Sequence, residues 1–331
     1  MSEIKFIDAL NKAIQIEMNS DKNVLILGED VAVGGPFGVT GGLLEKFGKE
    51  RVINTPISED SIMGMATGMA ISGKRPIIEI MFIDFLTLAM NQLVNHAAKL
   101  RFMSGGQLCV PMVIRVQQGA VGGWGSQHSQ CLEAWFQHVP GLKMVAPSNA
   151  NDAVGLLRNA IQDNDPVIFL EHRDLYFRRD HVSDKDPFTN SKKARIVKPG
   201  NDLTIISYSN LVWRSLEVAL NLEKQGKSVE VIDLRSLLPM DMQTIFQSVR
   251  RTNRVLIVHE AVLQGGIGAE IAAQIQEEAF DWLDAPVNRI GSPFMPVPAS
   301  PILESEFVPT LECITKAAEK MLMLKSSEKP K

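Results

Sequence analysis

Short apolar runs alternate with stretches of helical period along the first half of the chain. Residues 23–28, 76–80, 111–116 and 166–170 are predominantly apolar and short, as strands buried in a sheet are. Between them, residues 6–18, 59–72, 84–103 and 151–162 carry helix-like patterns. Such alternation predicts a parallel sheet flanked by helices. Residues 178–193 then bring charge, Pro and Ser with no apolar period, which predicts a linker. A second alternating block begins near Asp202, with strand-like residues 203–207, 229–233, 254–259 and 287–290 and helix-like residues 210–225, 242–250 and 268–280. The expectation is an α/β fold of two parallel-sheet domains: residues 1–185, a linker at 186–200, and residues 201–331. No short internal repeat is visible, and the polar tail 325–331 is expected to fray.

Composition narrows the function classes. A chain of 331 residues that is 45% hydrophobic can build two cores. A net charge of −4 offers no basic surface for nucleic acid. Cys109, Cys131 and Cys313 lie far apart, which gives neither a zinc ribbon nor a disulfide framework and fits a reducing compartment. No segment is long and apolar enough to span a membrane, and the charged N-terminus shows no transit peptide. These features predict a cytoplasmic protein of bacterial type.

Three segments carry candidate chemistry. Asn54-Thr-Pro-Ile-Ser-Glu59 puts the carboxylate of Glu59 at the start of a helix, ahead of a small-residue run expected to pack tightly and exclude water. Such an acid is either an N-terminal cap or a proton-handling group. Gly28-Glu29-Asp30 stands where the first strand should end, and ligands collect at the carboxyl ends of strands in open α/β sheets. Glu29 therefore either faces a site or caps the next turn. Gly122-Gly-Trp-Gly-Ser-Gln-His-Ser-Gln130 places His128 in a glycine-rich loop after a buried strand, a setting that suits a binding residue. Gln264-Gly-Gly-Ile-Gly268 looks like a phosphate loop but lacks the Lys-Ser/Thr of a Walker motif, so tight strand-to-helix packing explains it better. His259 and Glu260 before it are candidate polar residues at a subunit contact. Met81, Phe82, Phe85, Trp135 and Phe136 fit core packing on composition alone.

These strings resemble the β subunit of thiamine-diphosphate-dependent 2-oxo acid dehydrogenases, a transketolase-like family. The resemblance rests on Leu27-Gly-Glu-Asp30, Thr55-Pro-Ile-Ser-Glu59, Gln127-His-Ser-Gln130, Pro140-Gly-Leu-Lys143, Ala146-Pro-Ser148 and Asp163-Asn-Asp-Pro166, and continues through Asp233-Leu-Arg-Ser-Leu237 and Pro296-Val-Pro298. It implies a pyrimidine-binding domain followed by a transketolase C-terminal-like domain that serves assembly and docking. It implies that Glu59 hydrogen-bonds the aminopyrimidine of thiamine diphosphate, its pKa raised by a dry pocket so that a proton can be shared. By the same resemblance Phe85 packs on that ring beside Met81, Glu29 lies near it, and His128 is the active-site histidine. A potassium ion is implied on the backbone of Met112, Ala160, Asp163 and Asp165. No Gly-Asp-Gly string is present, so the magnesium-diphosphate half of the site is assigned to an α subunit, in a heterotetramer of two α and two β subunits. The implied activity is oxidative decarboxylation of a 2-oxo acid, foremost pyruvate, with acyl transfer to the lipoylated dihydrolipoyl acyltransferase core. Acetoin and branched-chain relatives are alternatives, and Trp124 departs from the pattern expected of pyruvate members. An NAD-linked dehydrogenase built on the turn at Gly265–Gly268 and a non-catalytic scaffold are the rivals from other classes.

Overall fold

The structure, a computed structural model, describes residues 2–183 and 193–323. Most of the expected linker core, residues 184–192, and the tail 324–331 lie outside the described residues. Contacts divide the chain into two units. The first comprises Met1–Gly119, Trp135–Ser191 and Leu237–Pro239, and the second Ala120–Ala134, Lys192–Ser236 and Met240–Lys331.

The first unit contains strands β1 (Ser2–Lys5), β2 (Val24–Gly28), β3 (Val52–Asn54), β4 (Arg75–Ile80), β5 (Val113–Gln118), β6 (Lys143–Val145), β7 (Val167–His172) and β8 (Arg179–Val182). Its main helices are α1 (Phe6–Ser20), α2 (Leu43–Phe47), α3 (Glu59–Ile71), α4 (Ile83–Leu86), α5 (Leu100–Met103), α6 (Glu133–Gln137), whose first two residues are counted with the second unit, and α7 (Ala150–Gln162). The pairs β2–β3, β2–β4, β4–β5, β5–β7 and β6–β7 are all parallel, as the strand–helix alternation requires. Helix α1 buries Phe6, Leu10, Ala13 and Ile14 on one face, the spacing of an amphipathic helix, and packs on α7. Buried Glu17 on the same face is answered by Arg158 Nε at 2.7 Å and Gln162 Nε2 at 3.0 Å. Helix α7 starts where Asn149 accepts the N–H of Asp152 at 3.0 Å, a side-chain N-cap.

Two expectations need correction here. The helix expected over 84–103 is broken into α4, a tight turn at Thr87–Ala89, a π-helix at Asn91–Ala97 and α5. Apolar periodicity reports which side is buried but not the hydrogen-bond pitch, and a π turn keeps Leu93 and Ala97 buried while widening the coil. The stretch read as linker from residue 178 begins as a strand: β8 pairs antiparallel with β1, Ser2 opposite Val182 and Lys5 opposite Arg179. Three of its four residues are polar, with Arg179 and His181 exposed and half-buried Asp180 accepting the Ala150 N–H at 3.1 Å, so no apolar run marked it.

The remaining strands are β9 (Arg195–Lys198), β10 (Leu203–Ser207), β11 (Val229–Asp233), β12 (Ser236–Leu238), β13 (Val255–Val262) and β14 (Asn288–Ser292). They alternate with α8 (Leu211–Glu223), α9 (Met242–Thr252), α10 (Ile267–Ala279), α11 (Pro301–Phe307) and α12 (Leu311–Met323). The second unit's sheet runs in the order β14-β13-β10-β11-β9, parallel except for β9. Strand β12 instead becomes the outer strand beside β6, giving the first unit's sheet the order β12-β6-β7-β5-β4-β2-β3. Ile205, Val218, Val231, Leu256 and Ile314 centre the second core. Among the described residues no helix is long and apolar enough to cross a membrane.

Candidate active site

The carboxyl end of β2 and the first turn of α3 bring two acids together in the first unit. Gly28 ends β2 at φ +153, and a Cβ there would stand 2.5 Å from the Glu79 carbonyl oxygen, so only glycine lets the two strands end this close. Glu29 follows, 3% exposed. Chain departing β3 returns through Thr55, whose N–H binds the Gly28 carbonyl at 3.0 Å, and reaches Ser58 and Glu59. Glu59 is buried at the helix start, where the N-terminal dipole favours a negative group. Ser58 makes no side-chain cap.

The carboxyl poised to hold a proton near neutrality is Glu29. Burial pushes it up to about 7, helped by the charges of Glu59, Asp30 and Glu79 and opposed by a hydrogen bond from the Ser58 N–H. Its Oε1 is buried with no hydrogen-bond partner among the described residues. A buried oxygen left unpaired is costly unless a ligand completes it. The small-residue helix behind the acids packs on one side only: Ile62, Met63, Ala66 and Ala70 are buried while Met65 and Ile71 are 41% and 42% exposed. The expected dry run is thus one face of α3, not its whole surface.

Met81 and Phe85, half-buried, follow β4. Phe85 meets Phe82 edge-on at 5.6 Å, Phe82 meets Phe37 at 5.9 Å, and the Arg173 guanidinium lies 5.2 Å from the Phe82 ring. Inside the sheet a charged cluster escaped the sequence reading. Arg115 on β5 binds Glu79 on β4 at 2.7 Å and clasps Glu171 on β7 at 2.7 and 2.9 Å, and Tyr176 donates to Glu171 at 2.6 Å. Burial alone would lower Arg115, but Glu171 and Glu79 more than offset it and hold the guanidinium above its usual range. Burial raises Glu79 in spite of Arg115. The signal was present: a charged residue interrupts the apolar run of each strand, Glu79 in β4, Arg115 in β5 and Glu171 in β7, and Glu79 and Arg115 are register partners.

His128 belongs to the second unit, on the segment Ala120–Ala134. Half-exposed Trp124 stands beside it, ring centroids 6.2 Å apart. The segment is tied to its own unit by Ala120 N–H to Glu260 at 2.6 Å, Ser126 Oγ to the Val297 carbonyl at 2.9 Å, and Tyr208 to Glu133. Glu260 and His259 are buried, contrary to a role at a subunit contact. His259 Nδ1 pairs with the Ala261 carbonyl at 3.1 Å. Cβ atoms on Gly266, Gly268 and Gly291 would crowd its ring to 2.7, 2.8 and 2.9 Å. Gly266 and Gly268 are there for packing against His259, while Gly265 is required by its left-handed backbone.

Met112, Ala160, Asp163 and Asp165 gather where β5, α7 and β7 meet. The Met112 carbonyl accepts Val167 N–H at 3.0 Å, that of Ala160 accepts Asp163 N–H at 3.3 Å, and that of Asp163 accepts Arg75 at 2.9 Å. Lys143 binds the Asp163 carboxylate at 2.7 Å and Asp165 at 3.0 Å. Each of these three carbonyls keeps a second lone pair.

Residues 2–178 match the transketolase pyrimidine-binding domain and residues 192–314 the transketolase C-terminal domain. The chain is 47% identical to the pyruvate dehydrogenase E1 component subunit beta of Gracilaria tenuistipitata var. liui, over 93% of this chain and 96% of that protein. It is 45% identical to the mitochondrial subunit beta-2 of Oryza sativa subsp. japonica, over 95% and 85%. It is 42% identical to the beta subunit of an acetoin:2,6-dichlorophenolindophenol oxidoreductase of Bacillus subtilis, over 96% and 97%. A solved split-gene transketolase, an inactive beta4 tetramer, shares the fold at a TM-score of 0.80 and 22% identity, covering 97% of this chain and 99% of that one. The chain belongs to the family of pyruvate dehydrogenase E1 β subunits, built from a transketolase pyrimidine-binding domain and a transketolase C-terminal domain.

Proposed function

We propose, from that membership, that the chain is the β half of a thiamine-diphosphate-dependent dehydrogenase that decarboxylates pyruvate and passes the acetyl group to lipoyl-lysine of an acyltransferase core. The single observation that carries the reading is the paired acids: Glu29, with an unpaired buried oxygen and a pKa of about 7, beside Glu59 at a helix start. An aminopyrimidine offers both a ring nitrogen to accept a proton and an amino group to donate one, and two neighbouring carboxyls, which can donate or accept according to their protonation, complement it. Thiamine diphosphate, when bound, supplies the nucleophilic carbon and the electron sink for decarboxylation. Glu59 holds the proton at the pyrimidine nitrogen. Glu29, raised to about 7, is about half protonated at neutral pH, which lessens the negative charge gathered at the end of β2. Phe85 and Met81 supply apolar walls for the ring, and His128 moves a proton at the substrate carbonyl oxygen.

The magnesium-diphosphate half is assigned to an α subunit, in a heterotetramer of two α and two β chains, because the Gly-Asp-Gly string that would grip it is not in this sequence. A potassium ion would be held by the backbone carbonyls of Met112, Ala160, Asp163 and Asp165. Acetoin is the second reading, favoured by the 42% identity to the B. subtilis protein across nearly its whole length. The test is turnover of the tetramer reconstituted with its α subunit. Glu59→Gln should cut kcat by about a hundredfold or more on pyruvate. Unchanged turnover in that variant would sink the reading, and a preference for acetoin over pyruvate in the native tetramer would move it to the second.

A further inference from the structure

The loop carrying His128 has little in its own sequence to hold it still. Gly122, Gly123 and Gly125 take φ values of +87, +73 and +75. Glycine enters that region freely but also leaves it freely, so the loop's shape must be imposed from outside. Helix α11 imposes it. Glu304, 6% exposed, receives the Gly123 N–H on both carboxylate oxygens, at 2.9 and 3.1 Å. A charged acceptor makes such a bond roughly twice as strong as a neutral one. The fit is close: a Cβ on Gly123 would stand 2.9 Å from the Ala299 carbonyl oxygen, and one on Gly125 would stand 3.3 Å from the Ala299 Cβ. The next residue, Trp124, folds back until its Nε1 lies 3.0 Å from where a Gly122 Cβ would be, and its ring flanks the His128 imidazole. Contact runs without a break from Glu304 through Gly123 and Trp124 to His128.

We propose that Glu304 is a positioning residue for His128: by pinning the Gly123 N–H it fixes the Trp124 indole, and the indole sets where the imidazole stands. The proposal rests on the reading of His128 given above. It makes the second unit a working part of the reaction, beyond assembly and docking. The competing role for Glu304 is local, as an acid in the first turn of α11 that complements the helix dipole.

The two roles separate in a double-variant cycle on the tetramer reconstituted with its α subunit. Glu304→Ala should lower kcat about thirtyfold, as small misplacements of a reacting group do, with KM for the 2-oxo acid within about threefold. Glu304→Gln keeps one acceptor oxygen and should fall between native and Ala. Added to His128→Ala, either Glu304 variant should cost less than about twofold more, because the residue it positions is gone. Native kcat in both Glu304 variants overturns the proposal. So do losses that multiply in the double variant, as independent defects would. If Glu304→Ala does not assemble, Glu304→Gln carries the cycle with the same two outcomes. A native tetramer without turnover, or a fully active His128→Ala, counts against the functional reading instead. The clamp is then judged on the full chain by NMR titration of the His128 imidazole, which shifts in Glu304→Ala if the clamp is real and stays fixed if it is not.

Discussion

In the first unit the Arg115 guanidinium lies between Glu79 and Glu171 inside the sheet, all three sealed from water. In the second unit His128 rides a glycine-rich loop with half-exposed Trp124 beside it, and backbone hydrogen bonds do the holding. The first arrangement sets an electrostatic field that no side-chain motion can relax, because the charges are locked in β4, β5 and β7. The second sets a position. A change in the first unit should therefore register as energy and as pH dependence, and a change in the second as geometry.

The largest expected effect tests whether the buried charges are real. Arg115→Met should destabilise the chain by about 3–5 kcal/mol, since it strands two buried carboxyls without their cation. Urea unfolding of the full chain measures this. A loss under about 1 kcal/mol would mean the carboxyls need no cation, and the contrast between the units would fail.

Next comes a buried titrating group in the second unit. Burial lowers His259 to about 4, below the usual 6.5. The folded state then binds fewer protons than the unfolded one between those values, so stability rises with pH across that window. Its contribution is complete above about 6.5 and is lost as pH falls toward 4, about 3 kcal/mol in all. Hydrogen exchange of β13 and α10 should show protection draining away from pH 6.5 to 4, and His259→Asn should flatten that slope. An unchanged slope in the variant would assign the acid sensitivity elsewhere.

The smallest effect sharpens the comparison within the acid pair. Glu29, raised to about 7, is neutral below that pH and charged above it. If its charge opposes the work of Glu59, activity falls as pH climbs through about 7, and Glu29→Gln removes that limb with a change of less than about tenfold in kcat/KM. A limb that persists in the variant belongs to another group.

Much of this was legible in advance. The apolar runs became β2, β4, β5 and β7 because strands buried on both faces must be apolar on both. Glu59 and Glu29 were legible because the carboxyl end of a strand and the start of a helix are marked by local residues. What stayed hidden depends on distance along the chain. That burial and neighbouring charges raise Glu29 was not legible, because only packing says how far an acid is desolvated among like charges. The purpose of Arg115 stayed hidden because it appears only when the register sets Glu79 beside it. His128 lies within the first domain as read from the sequence and within the pyrimidine-binding match, residues 2–178, while its contacts group the segment Ala120–Ala134 with the second unit. Its ties to Glu260 and Glu304 span 140 and 181 residues, beyond the reach of any local pattern.

Strand β12 carries a consequence for how the molecule is made. The outermost position beside β6 stays vacant until residues 236–238 leave the ribosome, by which time β9, β10 and β11 have already emerged. A fragment ending at residue 185 would expose β6 as an open edge, a template for pairing with other chains. Synthesis of the two halves is thus braided in time, and neither is a clean excision from the other.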